Sequence, residues 1–359
     1  MKRPFSANGH AHYPQGSGFF YYLEETMGIL LFDKPFKTYE EQLDILEQKY
    51  GLIIGDRKQA LTALQSLTYY DLVNGYKECF MKNEKFESGI SLEFLHLFCQ
   101  IDKHIQSIIF KYTTIVENSY KSKLAYVISD NFGVWECDYL DSQNYFKSNN
   151  KISFYKIQNA CLKIFDGSKP IPQPTKHYLE KHNHIPPWIL FKNLSFSNAI
   201  NLFQLLKPNE KQALANLIIP DKNLSYSQKV EFIIAALNLI RTFRNKIAHN
   251  LKFITYKNDF HKLDPKTILK LSPSGLLHWK DIKKHNRGLN DIYSDILCIL
   301  VLLNDKQLIG PFLFELLLAF HKINTINTPN MNLIKQKYYV ITNIPPDIEK
   351  RISSLKSIK

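Results

Sequence analysis

Arg244 and His249 stand five positions apart in the run Arg241-Thr-Phe-Arg244-Asn245-Lys-Ile-Ala-His249-Asn250, in a chain that otherwise draws its positive charge almost wholly from lysine. A guanidinium grips a phosphate through two parallel hydrogen bonds, and an imidazole moves a proton near neutral pH. The two side chains suffice to cut RNA without a metal, because the 2′-hydroxyl of the substrate supplies the nucleophile. Asn245 lies between them and is positioned to orient His249 or the phosphate. The competing reading has Arg244 paired with a carboxylate and His249 merely ending a helix, where cations are favoured.

The elements that must position this pair read as helices. At 100° per residue, Ile233, Ala236, Ile240, Phe243 and Ile247 gather on one side of a helix over 226–250, and Arg241, Asn245 and His249 recur on its polar face. Upstream, Thr38 caps a helix carrying Glu40, Glu41 and Gln42 in its first turn, and Gly51 ends it. Asp56 caps the next, and Tyr69-Tyr70-Asp71 through Gly75-Tyr76 makes a tight aromatic turn or short helix. From Ser91, Phe94, Phe98, Ile101, Ile105, Ile108, Tyr112 and Ile115 alternate in steps of three and four, the stripe of one buried face, in a helix continuing toward Ser129. Residues 130–188 are irregular, with Pro170, Pro172 and Pro174 forbidding regular helix. Apolar helices come next over 187–206, 288–304 and 309–323, with a basic connection over 251–286. A basic tail closes the chain from 326, with a short strand expected near Tyr338–Ile341. The expectation is a mostly α fold, loose over 1–26 and helical over 27–325, with Met27 as a candidate start.

Composition narrows the partners. A formal charge of +13 and pI near 9.2 favour a polyanion. Arg241, Lys246, Lys252, Lys283, Lys284 and Arg287 are the candidates to hold an RNA backbone. Five scattered cysteines form no Cys-x-x-Cys pair, which suits reduced thiols and a cytoplasmic setting. No apolar run is long enough for a membrane span. His182 and His184 have no companion Cys or paired carboxylate, so no metal or other cofactor is expected. Tyr69, Tyr70 and Tyr76 are expected to pack rather than stack on bases.

Seven pieces in order carry a family resemblance: Lys34-Pro35-Phe36 with Glu40-Glu41-Gln42-Leu43; Gly51 to Asp56; Tyr69-Tyr70 to Gly75-Tyr76; Val116-Glu117; Pro186-Pro187-Trp188 to Phe196; Arg244-Asn245 to His249; and Asn290 to Cys298. Over about residues 33–320 the chain resembles the Abi-like proteins, bacterial abortive-infection factors of the AbiD/AbiF type, which are similar to the HEPN superfamily. The resemblance implies a HEPN-like helical bundle in which two copies of an Arg-x4–6-His motif meet as a composite ribonuclease site, hence a homodimer with Arg244, Asn245 and His249 catalytic. It also implies growth arrest on phage infection, and a small noncoding RNA as antidote or guide. Relatives carry Arg where this chain has Asp71, and a second His or a nearby Arg where it has Asn250-Leu251-Lys252. The rival expectation is a non-catalytic RNA-binding or phage-sensing module, which needs the basic surface but not His249.

Overall fold

The computed structural model describes residues 34–149, 152–325 and 327–355. The expected loose extension over 1–26 and the candidate start at Met27 lie outside them. One helix organises the rest. Helix α2, Leu92–Phe132, runs for 41 residues, about 60 Å at 1.5 Å per residue. The Ser91 hydroxyl caps it by accepting from the Phe94 N–H, and Gly133, at φ +89°, ends it where a side chain would be strained. The stripe read from Phe94 to Tyr112 is buried along its length.

Helix α1, Arg57–Tyr69, precedes it, capped by Asp56 as expected. Thr38 likewise caps the short helix Tyr39–Asp44 in a reciprocal pairing with Glu41. Packed along α2 are α3 (Pro187–Asn193), α4 (Phe196–Leu205), α5 (Pro208–Ile218), α6 (Tyr226–Ala248), α7 (Ile292–Leu303) and α8 (Lys306–Thr325). The apolar run after Pro186 is thus two helices. Leu194 leaves helical backbone, and the Ser195 hydroxyl caps a new start at Phe196. Helix α6, which carries the motif, lies against α2, α4, α5 and α7.

The irregular stretch expected over 130–188 holds short helices and the small antiparallel pair Ser148–Asn149 with Ile152–Ser153. A second such pair, Met81–Lys82 with Lys85–Phe86, lies before α2. Among the described residues these are the only two sheets. The mostly α expectation therefore holds.

The closing segment differs from the reading as a tail with a strand. It folds as α9 (Pro329–Thr342) and α10 (Ile348–Ser353). Tyr338 and Val340 suit strands by type, but Met331, Ile334, Tyr338 and Thr342 recur at helical spacing and form one buried face. Tyr338 packs against Phe98 of α2, with ring centroids 5.8 Å apart. No helix of the described residues is long and apolar enough to cross a membrane.

Candidate active site

Helix α6 begins with a capping box, the Ser225 side chain accepting from the Gln228 N–H while Gln228 returns the bond to Ser225. It ends at Ala248, and His249 is its C-cap residue, donating its backbone N–H to the Asn245 carbonyl. Ile233, Ala236, Ile240 and Phe243 are fully buried, which fixes the rotation of the helix and turns the motif toward α2.

Arg244 sits at the edge of that buried face. Its Nη1 donates to Asn245 Oδ1 at 2.9 Å, and its Nη2 lies 3.5 Å from Glu117 Oε2 on α2. Glu117 also receives Lys121, one turn further along α2, at 2.7 Å. Glu117 and Lys121 are buried, whereas the Arg244 side chain keeps 33% of its surface exposed. The guanidinium is thereby held from two sides on a side chain that is only partly buried. Its Nε is buried without a partner, a donor that costs stability where it stands. Arg244 does pair with a carboxylate, but at a long distance and without being sealed in. Asn245 spends its side-chain oxygen on Arg244, so within one chain it positions the guanidinium rather than His249.

His249 and Asn250 are exposed. Among the described residues the His249 side chain makes no hydrogen bond or ion pair, and none joins it to Arg244. The chain just beyond the motif is strapped down. Asn250 adopts a left-handed conformation, φ +50°, suited to the short polar side chain of Asn. Lys103 of α2 donates to Asn250 Oδ1, and Lys252 pairs with Glu78. Lys103 also bonds Gln106, which in turn donates to Asp102 at 2.6 Å. Asp102 accepts from the Tyr76 hydroxyl as well, at 3.0 Å.

The six basic candidates are dispersed. Arg241 is partly buried, donates to Asn238 at 3.3 Å and has its pKa lowered by burial. Lys246 lies 3.9 Å from the centroid of the Tyr256 ring, and burial lowers its pKa too. Lys252 is occupied by Glu78. Lys283 and Lys284 are exposed at the end of the short helix Trp279–His285. Arg287 departs from the expectation: it is buried, 3.1 Å from Asp281, and donates to the Asn343 carbonyl at 2.7 Å. It holds α9 to the body and leaves the set that faces solvent.

Of the three tyrosines, Tyr76 is buried, Tyr69 half-buried and Tyr70 exposed, so packing claims the first two only. His182 and His184 lie in a loop, and among the described residues no group of three or more His, Cys, Asp or Glu side chains could hold a metal ion.

The residues missed from sequence are Glu117 as the partner of Arg244, together with Lys121, Asp102, Lys103 and Gln106. One signal was present. Asp102, Gln106, Thr113, Glu117 and Lys121 interrupt the apolar side of α2 at helical spacing. Polar side chains on a buried face need partners from the elements packed against it.

An all-α bundle whose central helix carries a buried carboxylate to an Arg-x4-His helix end defines the class. The family model described as Abi-like protein matches residues 62–255, more than half of the chain and both sides of this site. The protein belongs to the Abi-like family, and with that family comes the coarse function, abortive infection. No curated protein and no solved structure matches the chain.

Proposed function

We propose that the protein is a metal-independent endoribonuclease of the HEPN type that arrests growth by cutting RNA. The observation that carries this reading is the Arg244 side chain, oriented by Glu117 and Asn245 yet one-third exposed, on the helix that ends at an exposed His249.

In the reaction, the 2′-hydroxyl oxygen attacks the adjacent phosphorus and the bond from phosphorus to the 5′ oxygen breaks. An imidazole takes the hydroxyl proton or delivers one to the leaving oxygen, and the reference pKa of histidine, about 6.5, suits both roles. Arg244 neutralises the charge that builds on the non-bridging oxygens. The products are a 2′,3′-cyclic phosphate and a 5′-hydroxyl. Because no hydrogen bond joins Arg244 to His249 within one chain, the reading calls for two copies with their α6 ends facing, so that each phosphate meets groups from both. The cytoplasm and an RNA partner belong to the same proposal, as does any small RNA that restrains the enzyme.

Cleavage of total RNA by the purified protein in EDTA, beside His249→Ala, tests it. Cyclic-phosphate ends from the wild type alone support the reading. Equal binding of RNA by both proteins with cutting by neither favours a non-catalytic RNA-binding module.

A further inference from the structure

Beyond His249 the chain turns into a cleft of about 250 Å³. Its walls come from three places: the helical turn and short-helix start from Tyr70 to Glu78, the part of α2 at Asp102 to Gln106, and the strapped segment Asn250 to Ile254. The volume is below the roughly 300–1,000 Å³ of pockets that take drug-sized ligands. It suits one nucleobase.

Asp102 lines this cleft and is 1% exposed. Its Oδ2 is taken by the Tyr76 hydroxyl and the Gln106 amide, while Oδ1 is buried with no partner. A buried carboxylate oxygen without a donor is costly. Asp102 is held in that state against the cleft that Asn250 also lines, directly after the motif. At the rim, Tyr70 keeps 68% of its surface exposed, a flat ring of the kind on which bases stack. It is presented there by Thr68, whose φ of +56° is unusual for a β-branched residue, and whose hydroxyl caps the next turn by accepting from the Asp71 N–H. Lys103 and Asn74 line the same space and supply donors.

We propose that this cleft reads a guanine of the RNA strand next to the phosphate held by Arg244 and His249, with Asp102 Oδ1 accepting from the guanine N–H edge and Tyr70 stacking on its face. Guanine alone among the four bases sets two N–H donors, N1–H and the N2 amino group, side by side on its pairing edge. Adenine and cytosine offer a single amino group there, and uracil a single imino N–H. Lys103 or the Asn74 amide meets the guanine O6 acceptor. The placement of this guanine rests on the ribonuclease reading, because Asn250 directly follows His249 and ties the cleft to the motif.

Calorimetric titration of the full chain with guanosine 3′-monophosphate tests it, against the adenosine, cytidine and uridine 3′-monophosphates and inorganic phosphate. We expect the guanosine nucleotide to bind at least about tenfold more tightly than the rest, the scale of discrimination that well-placed polar contacts to a base provide. Asp102→Asn removes that preference. Tyr70→Ala, at an exposed position that leaves the core intact, weakens binding severalfold. Equal affinity for all four nucleotides, affinity for phosphate alone, or wild-type binding by both variants overturns the proposal. The titration needs no cleavage, so the two readings fail separately. Guanosine preference without RNA cutting sinks only the ribonuclease, and cutting without guanosine preference sinks only the base-reading cleft.

Discussion

Two buried ionic clusters in this molecule are built to opposite standards. Around Asp281, both carboxylate oxygens are answered. Arg351 approaches at 2.6 Å and Arg287 at 3.1 Å, the His278 N–H donates at 3.0 Å, and the arginines spend further donors on the carbonyls of Leu276 and Asn343. Along α2, the charged groups nearest the motif, around Glu117 and around Asp102, are left incomplete. Arg244 stands 3.5 Å from Glu117 with its Nε unpartnered, and Asp102 keeps one oxygen unpartnered. The first cluster ties the last two helices to the body. The second leaves a donor and an acceptor without a protein partner.

Protonation divides the same way. Burial pushes the Asp281 carboxyl up, but Arg351, the His278 N–H and Arg287 outweigh it and hold the group below its ordinary range. Burial pushes Asp102 up to about 6, only partly countered by Tyr76, Gln106 and Lys103. An unpartnered carboxylate alone does not mark a site, however. Asp295 in α7 is fully buried with both oxygens unpartnered, and burial keeps its pKa well above normal. It sits on an almost wholly buried apolar helix and forms no part of the cleft walls around Asp102.

The largest expected effect breaks the closed cluster. Asp281→Ala strands two buried arginines and lowers stability by about 3–5 kcal/mol, the usual result of removing one partner of a buried pair, read as the shift of a denaturant midpoint. Asp281→Asn shows the sign of the pH dependence. The native pKa is depressed, so wild type gains over the variant above the unfolded carboxylate range and loses that gain as pH falls through the folded value.

Asp102→Asn should run the other way. Its native pKa is raised, so stability is full below about pH 4 and declines as pH climbs to about 6. The variant cannot titrate, and should be more stable than wild type by about 3 kcal/mol above pH 6, with no such gain near pH 4. A variant less stable than wild type at pH 7.5 would place Asp102 with the closed cluster instead.

Glu117→Gln keeps the shape but loosens the aim of Arg244. RNA cleavage should fall about tenfold to a hundredfold, the scale of one mispositioned electrostatic group, while guanosine 3′-monophosphate still binds. Loss of both would join the two halves of the open cluster into one unit. The smallest effect belongs to Lys283→Ala with Lys284→Ala. Binding of RNA should weaken modestly and the slope of log affinity against log salt should drop by about 0.7 for each phosphate no longer neutralised. An unchanged slope removes that helix end from the RNA path.

Much of the helical frame was legible because its signals are local. Ser91, Asp56 and Thr38 cap where their side chains reach the next turn, and the Phe94–Tyr112 stripe is a property of spacing. Local signals misled at Tyr338–Ile341, where β-prone residue types stand on a helix whose buried face is set by Phe98, a residue of α2. They misled again at Arg287. A basic run reads as surface, and nothing nearby in sequence announces that one member turns inward to meet the carbonyl of Asn343.

The sequence by itself determined the α6 helix, the apolar side that rotates it, and the order of Arg244, Asn245 and His249 at its end. These come from periodicity. Only the tertiary structure decided which carboxylate faces Arg244, that Lys103 reaches Asn250 from 147 positions away, and that Asp102 keeps a bare oxygen beside the motif. The reason is physical. A buried charge must be answered by whatever packing brings next to it, and here that is set by how α6 and the Tyr70–Glu78 segment lie along α2.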